Sequence, residues 1–329
     1  MDRAPRRRLL AIICGRRSER SGVERSLTVA ILMGTMNGAA YIREQLESIA
    51  GQTERDWTLY VSDDGSSDAT CQIVERFAEV VPQFVTVRMG PRRGFVENFL
   101  GLARDSAIEA DFFAFCDQDD VWHADKLSRA LTWLRSIPES IPAVYLSRTE
   151  LIGPSGEPMG QSTLFRRQPG FGNALVQSIG GANTMVFNRA ARSLLKVTAS
   201  RSAVSHDWCL YLLCTAVGGA VYYDPDPSIK YRQHGNNIMG SNRGVLSSLR
   251  RIKMLGAGTF SRWNEINRHL LAGIEEQMPS PNREMLRKFT EARSSRGLVS
   301  LLRLNQCGVY RQTAVGNLGL GVSALIGKL

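Results

Sequence analysis

The chain is short of the groups that staple, thread or anchor a protein. Six cysteines occur in 329 residues, none in a CxxC pair or a Cys/His cluster with zinc spacing. That excludes the small zinc modules. Cys209 and Cys214, five apart in an apolar helix-like segment, read as buried free thiols rather than a disulfide. No apolar run approaches the roughly 20 residues that cross a bilayer. The longest candidate, QTAVGNLGLGVSALIG, is too short and too rich in glycine. Near the start, LLAIIC is shorter than a signal-peptide core, and a cytoplasmic, reducing location is the working expectation. Internal repeats and low-complexity tracts are absent.

Acidic residues are scarce at both ends. Residues 1–25 hold eight Arg against three acids, and residues 243–329 hold fourteen Lys and Arg against five. Of the net +10, these flanks account for +5 and +9, so the middle carries −4. A basic skirt around an acidic centre suggests an anionic partner, lipid headgroups or nucleic acid. Basic flanks that only aid solubility are the plain alternative. No nucleic-acid motif is recognisable, and a nucleic-acid-binding protein would leave the acidic centre without a purpose.

From Leu27 to about Pro142, strand-like and helix-like segments alternate. LTVAILM, WTLYVS, FVTVRM and FFAFC read as strands; YIREQLESIAGQ, SDATCQIVERFAEV, FVENFLGLARDSA and HADKLSRALTWLRS read as helices. Ile42, Leu46 and Ile49 share one face of the first helix, and Ser67 or Asp68 is expected to cap the second. This alternation predicts an α/β fold with a mostly parallel sheet covered on both faces. Beyond Ala143 a strand runs into a hairpin, GGANTMVFN is a strand, HDWCLYLLCTAVGG a helix, and AVYYDP and IKYRQH two short strands. The last 85 or so residues are basic, amphipathic and helical. The expected organisation is a basic, unstructured segment over 1–26, a catalytic domain over 27–242 and a helical region over 243–329.

Carboxylates crowd one point. In FAFCDQDDVWHADKL, Asp117, Asp119 and Asp120 directly follow a buried strand, where an unbalanced carboxylate is costly. Ligands of parallel sheets bind beyond the carboxyl ends of the strands, and GTMNGA, SDDGSSD and DQDD each sit at such an end. Asp117 and Asp119, two apart in extended chain, point to one side and suit Mg²⁺ or Mn²⁺.

These stretches, in this order, resemble the nucleotide-sugar glycosyltransferases of family 2, which have a GT-A fold; SHDWCLYLL and YRQHGNN resemble the bacterial rhamnosyltransferase branch. The resemblance runs from about Leu27 to Gly240. It implies that Thr35, Asn37 and Asp64 contact the donor nucleotide, and that Gly94 and Asn98 belong to a loop beside it. An exposed Asn98 at a helix start is the bland alternative. Asp117 and Asp119 take the places of the family's Asp-x-Asp, binding a divalent cation that bridges the donor diphosphate. Asp207 matches the catalytic base, unless it merely caps its helix, and His206 stands where many relatives carry an acid. Arg232 or His234 would meet the diphosphate, and His234 can also ligate the metal. The Gln-x-x-Arg-Trp motif of processive members is missing, which implies transfer of one sugar. The implied activity is inverting transfer, of L-rhamnose from dTDP-rhamnose or of a hexose from a UDP-sugar, onto a cell-surface polysaccharide or lipid-linked saccharide. The basic C-terminal helices would then rest on the inner face of the cell membrane.

Overall fold

The computed structural model describes residues 28–235 and 258–329. The basic segment 1–26, the expected boundary at 242 and the expected helix VLSSLRRIKML lie outside them.

The described strands are β1 (Val29–Thr35), β2 (Trp57–Asp63), β3 (Val85–Met89), β4 (Phe112–Cys116), β5 (Val121–Trp122), β6 (Ala143–Ser147), β7 (Glu150–Ile152), β8 (Pro158–Gln161), β9 (Val186–Asn188), β10 (Ala220–Asp224) and β11 (Ile229–Arg232). Seven of them build the main sheet in the order β10-β6-β9-β4-β1-β2-β3. Only β9 runs antiparallel to its neighbours. A smaller sheet, β5-β11-β7-β8, carries the expected hairpin as β7 and β8.

Strand residues divide between two apolar layers because successive side chains point to opposite faces. Val29, Ile31 and Met33 of β1 join one layer, Ala30 and Leu32 the other. Helices α1 (Ile42–Ala50), α2 (Thr70–Ala78) and α4 (Lys126–Leu134) cover the first face, with Ile42, Leu46 and Ile49 buried as the spacing predicts. Helices α3 (Phe95–Arg104), α6 (Arg189–Leu194) and α7 (His206–Ala216) cover the second, and the short α5 (Phe171–Ala174) packs beside α7. Each such Leu or Ile contributes roughly 1.5–3 kcal/mol on burial.

The predicted cap of α2 differs in detail. Ala69 precedes the helix, and Asp68 acts from one residue further out. Its Oδ1 accepts from Thr70 N–H (3.0 Å) and its Oδ2 from Ala39 N–H (3.0 Å), tying the helix start to the loop after β1.

Helix α7 is apolar nearly all round, as a helix buried on every side must be. Of the C-terminal helices α8 (Thr259–Leu271), α9 (Ser280–Ser294), α10 (Gly297–Gln306) and α11 (Ala314–Leu325), α8 packs against α7 and α9 reaches its end. Leu270, Leu271, Phe289, Leu304 and Leu320 join the same apolar layer as β1 and β4. Asn282 Nδ2 donates to Ala216 O (2.9 Å), satisfying a carbonyl that the end of α7 leaves open. The helical tail is therefore present and shares its core with the sheet.

Candidate active site

Because β1, β2 and β4 are parallel, their carboxyl ends meet on one rim. The loops that follow are stitched together there. Met36 N–H donates to Gln118 Oε1 (2.9 Å) and Gln118 Nε2 back to Met36 O (3.0 Å). Asn37, in the left-handed region at φ 50°, donates its N–H to Ser66 Oγ (2.8 Å) and accepts from Ser67 N–H at Oδ1 (2.9 Å). Asn tolerates this conformation better than most residues.

Thr35 Oγ1 donates to Asp63 Oδ1 (2.8 Å). Burial opposes ionisation of Asp63, yet the hydroxyl and N–H of Ser66, Thr35 Oγ1 and Gly65 N–H together hold it below the usual carboxylate range. Asp64 turns the other way and organises the next loop. Its oxygens accept from Arg92 N–H (2.5 Å) and Gly94 N–H (2.9 Å). Gly94 has φ 89°, a value that favours glycine. Asn98 is buried rather than exposed. Its Nδ2 donates to Ser62 O (2.7 Å), while its Oδ1 has no hydrogen-bond partner. Thr35 thus ends β1, Asn98 lies in the first turn of α3 rather than in a loop, and Asn37, Asp64 and Gly94 fall on three adjoining loops.

The three aspartates after β4 have different surroundings. Burial first, then the carboxylates of Asp119 and Asp207, push Asp117 up to about 7, with Lys126 opposing. Asp207, from the start of α7, is therefore close enough to be felt at Asp117. Asp119 Oδ2 lies 2.7 Å from His234 Nε2, and that imidazole stacks on Tyr41. Asp120 is fully buried and pushed far up, by desolvation above all. It accepts from Asn183 Nδ2 (2.5 Å) and Arg232 N–H (3.2 Å).

Arg232 is only 2% exposed. Its Nε donates to Asp119 O (3.0 Å), its Nη1 to Pro154 O (3.0 Å), and its Nη2 bonds Glu44. The guanidinium thus bonds protein groups from two loops and from helix α1, tying them together at the rim.

Asp207 lies in the first turn of α7, one residue past His206, and the helix has no side-chain cap. Its Oδ2 accepts from Ser178 Oγ at 3.4 Å. The helix-cap alternative therefore does not describe it. His206 is buried against Phe99, stacked at 4.1 Å, with Phe115 edge-on at 4.9 Å. Neither ring nitrogen has a hydrogen-bond partner. Burial pulls its pKa down to about 4, with Asp207 pulling the other way, so the ring is neutral at pH 7.

Among the described residues, no three or more His, Cys, Asp or Glu side chains form a ready-made metal cage. What the rim offers is the Asp119–His234 pair with Asp117 beside it. Mg²⁺ usually keeps waters and takes only one or two carboxylates plus substrate phosphates. The donor set fits a cation completed by a diphosphate.

Sequence reasoning missed Lys126, which is wholly buried in α4. Its Nζ donates to Asn183 O (2.7 Å) and lies 3.8 Å from the Trp122 ring centroid. Burial brings it down to about 7, against the pull of Cys116, Asp120 and Asp117. Asn183 thus links Lys126 to Asp120. The only sequence signal for this network is a lysine within ten residues of three aspartates.

A mostly parallel α/β sheet with an acidic rim at its strand ends, flanked by helices, is the architecture of the GT-A fold. Residues 30–185 match the family model for Glycosyl transferase family 2. It is 29% identical over 231 residues to the dTDP-rhamnosyl transferase RfbG of Shigella flexneri, covering 68% of this chain and 78% of that protein. It is 23% identical over 213 residues to the putative teichuronic acid biosynthesis glycosyltransferase TuaG of Bacillus subtilis, covering 64% and 81%. The crystal structure of S. aureus TarS 1-349 with UDP shares the fold, at a TM-score of 0.53 and 16% identity over 81% of this chain and 71% of that one.

Proposed function

We propose that the protein transfers a single L-rhamnose from dTDP-rhamnose, with inversion, onto a cell-surface polysaccharide or lipid-linked saccharide. The observation that supports the reading is the packing of His206, the residue before Asp207, edge-on at 4.9 Å against Phe115 of β4, the strand that Asp117 and Asp119 follow. The donor sugar rests on the likeness to RfbG. Asp119 and His234, with Asp117, would hold Mg²⁺ or Mn²⁺, which when bound offsets the charge of the departing diphosphate.

In the reaction, Asp207 accepts the proton of the acceptor hydroxyl. That oxygen attacks the anomeric carbon from the face opposite the diphosphate, and the carbon–oxygen bond to the diphosphate breaks with its electron pair. The new bond has inverted configuration. Ser178, within reach of Asp207, orients the carboxylate. Thr35 and the loops carrying Asn37, Asp64 and Gly94 line the nucleotide side. Arg232 and the Asp120–Asn183–Lys126 network hold the rim in shape behind them.

Asp207→Asn is expected to lower transfer by about 10²–10⁴-fold while donor binding, read by thermal shift, stays near wild type. Near-normal transfer by the variant would remove Asp207 from this role. The same thermal-shift measurement across dTDP-rhamnose and UDP-hexoses identifies the donor. A larger shift with a UDP-hexose would replace the rhamnose assignment, and equal shifts with and without Mn²⁺ would remove the cation.

A further inference from the structure

Helices α10 and α11 are apolar on two sides. Their inner sides are occupied, with Ser300, Leu304, Leu320, Ser323 and Ala324 all buried. Their outer sides repeat the pattern without a covering element among the described residues. In α10, Leu298 and Leu302 stand one turn apart, 71% and 62% exposed. In α11, Val315, Leu318, Val322 and Leu325 recur at steps of three and four, the first two 79% and 70% exposed. The two helices pack together, with Gly321 facing Leu301. Exposed apolar side chains scattered singly need no explanation, but stripes on neighbouring helices mark an interaction surface.

Charge narrows what covers it. From Ala292 to Leu329 the sequence has no Asp or Glu; Arg293 is paired with Glu265, which leaves Arg296, Arg303, Arg311 and Lys328 as the cations of this segment. A second copy docked on the same patch would set these cations against their own kind. An anionic bilayer meets both features, taking the apolar stripes at its headgroup–acyl boundary and the cations at its phosphates. We infer that the outer face of α10 and α11 docks on an anionic phospholipid membrane.

The face is tied to the catalytic cleft. Between the two helices, Tyr310 N–H donates to Gly172 O (3.2 Å), and Gln312 N–H to Gln177 Oε1 (2.9 Å). Ser178, the next residue, is the one that reaches Asp207. A membrane beneath α11 would thus adjoin the loop on the acceptor side. This last step rests on the proposed function and favours its lipid-linked acceptor; the docking face itself does not depend on it.

The test is flotation of the full chain with phosphatidylcholine vesicles, with and without phosphatidylglycerol. The wild type is expected to partition at least about tenfold better onto the anionic vesicles. Val315→Ser/Leu318→Ser should lose about tenfold or more of that binding even at low salt. Arg296→Gln/Arg303→Gln should lose a smaller factor, which added salt reproduces in the wild type. Donor-induced thermal shifts should match the wild type in both variants, since neither touches the cleft. Equal binding to both vesicle types, wild-type binding by the apolar variant, or a wild-type dimer in sedimentation that this variant dissolves would each overturn the docking face. Vesicle binding without any nucleotide-sugar shift would instead leave the face intact and remove the proposed function.

Discussion

The rim at the strand ends and the C-terminal helical layer are held by opposite means. On the rim, single polar groups close contacts between residues far apart in the chain: Arg232 with Asp119 and Pro154, Asn183 with Asp120, Gln118 with Met36. In the helical layer, apolar residues are shared out along four helices, and apart from Arg293–Glu265, which joins α8 to α9, the ion pairs among the described residues of this layer are local. Arg268–Glu265, Arg287–Glu284 and Arg287–Glu291 all fall within one turn. A structure held by a few buried polar groups is precise but intolerant of substitution. One held by distributed burial tolerates changes to its outer face, which leaves that face open to other uses.

That contrast is broken most forcefully at Arg232. Arg232→Met keeps the volume but leaves Asp119 O and Pro154 O without their donor. Each buried carbonyl left without its donor costs about 1–3 kcal/mol, so the urea midpoint should fall by a corresponding amount. A loss below about 1 kcal/mol, the size of an ordinary hydrogen bond, would show that the rim does not depend on this residue.

His206 gives the next largest effect, and only in acid. Below its ordinary value of 6.5, the unfolded imidazole takes up a proton that the folded one refuses until about 4. The unfolded state binds more protons across that window, so stability is full above pH 6.5 and falls as pH drops towards 4. This one group accounts for about 3 kcal/mol of the fall. His206→Phe retains the stacking on Phe99 and should flatten that part of the profile. Parallel wild-type and variant curves from pH 7 to 4 would refute the assignment.

The alternation of segments disclosed the parallel sheet, and with it the rim, because the side-chain period and the rule for strand ends are local properties. The neighbourhood of Asp207 and the strand-end aspartates was reached by resemblance, since nothing local links residues 90 apart in the chain. What stayed hidden was the pairing of buried charge. Nothing in the sequence signals that Lys126 is buried, yet it turns under the rim because Asn183 O and the Trp122 ring receive it. The carbonyls of Asp119 and Pro154 that accept from Arg232 come from two other loops, which no local pattern links to it. Asp120 has no role assigned by its position in the sequence, and its partners, Asn183 and Arg232 of β11, lie far along the chain. Short β9, running against its neighbours, offers too few residues for its direction to be read.

The helical layer supplies the smaller effects and sharpens the comparison within one helix. Leu304→Ala, at a position 5% exposed, is expected to cost about 2–3 kcal/mol through lost burial and a cavity. Leu302→Ala, on the outer face of the same helix, should stay within about 0.5 kcal/mol. Equal losses at the two sites would mean that the outer stripe is covered in the isolated chain. Arg287→Ala should do least of all: its partners Glu284 and Glu291 are local and solvated, and such pairs are screened by salt. The thermal midpoint should not move measurably at physiological ionic strength. A drop that persists in high salt would show that α9 relies on a specific surface contact, as the rim does, rather than on the burial of Phe289 and Ala292 beneath it.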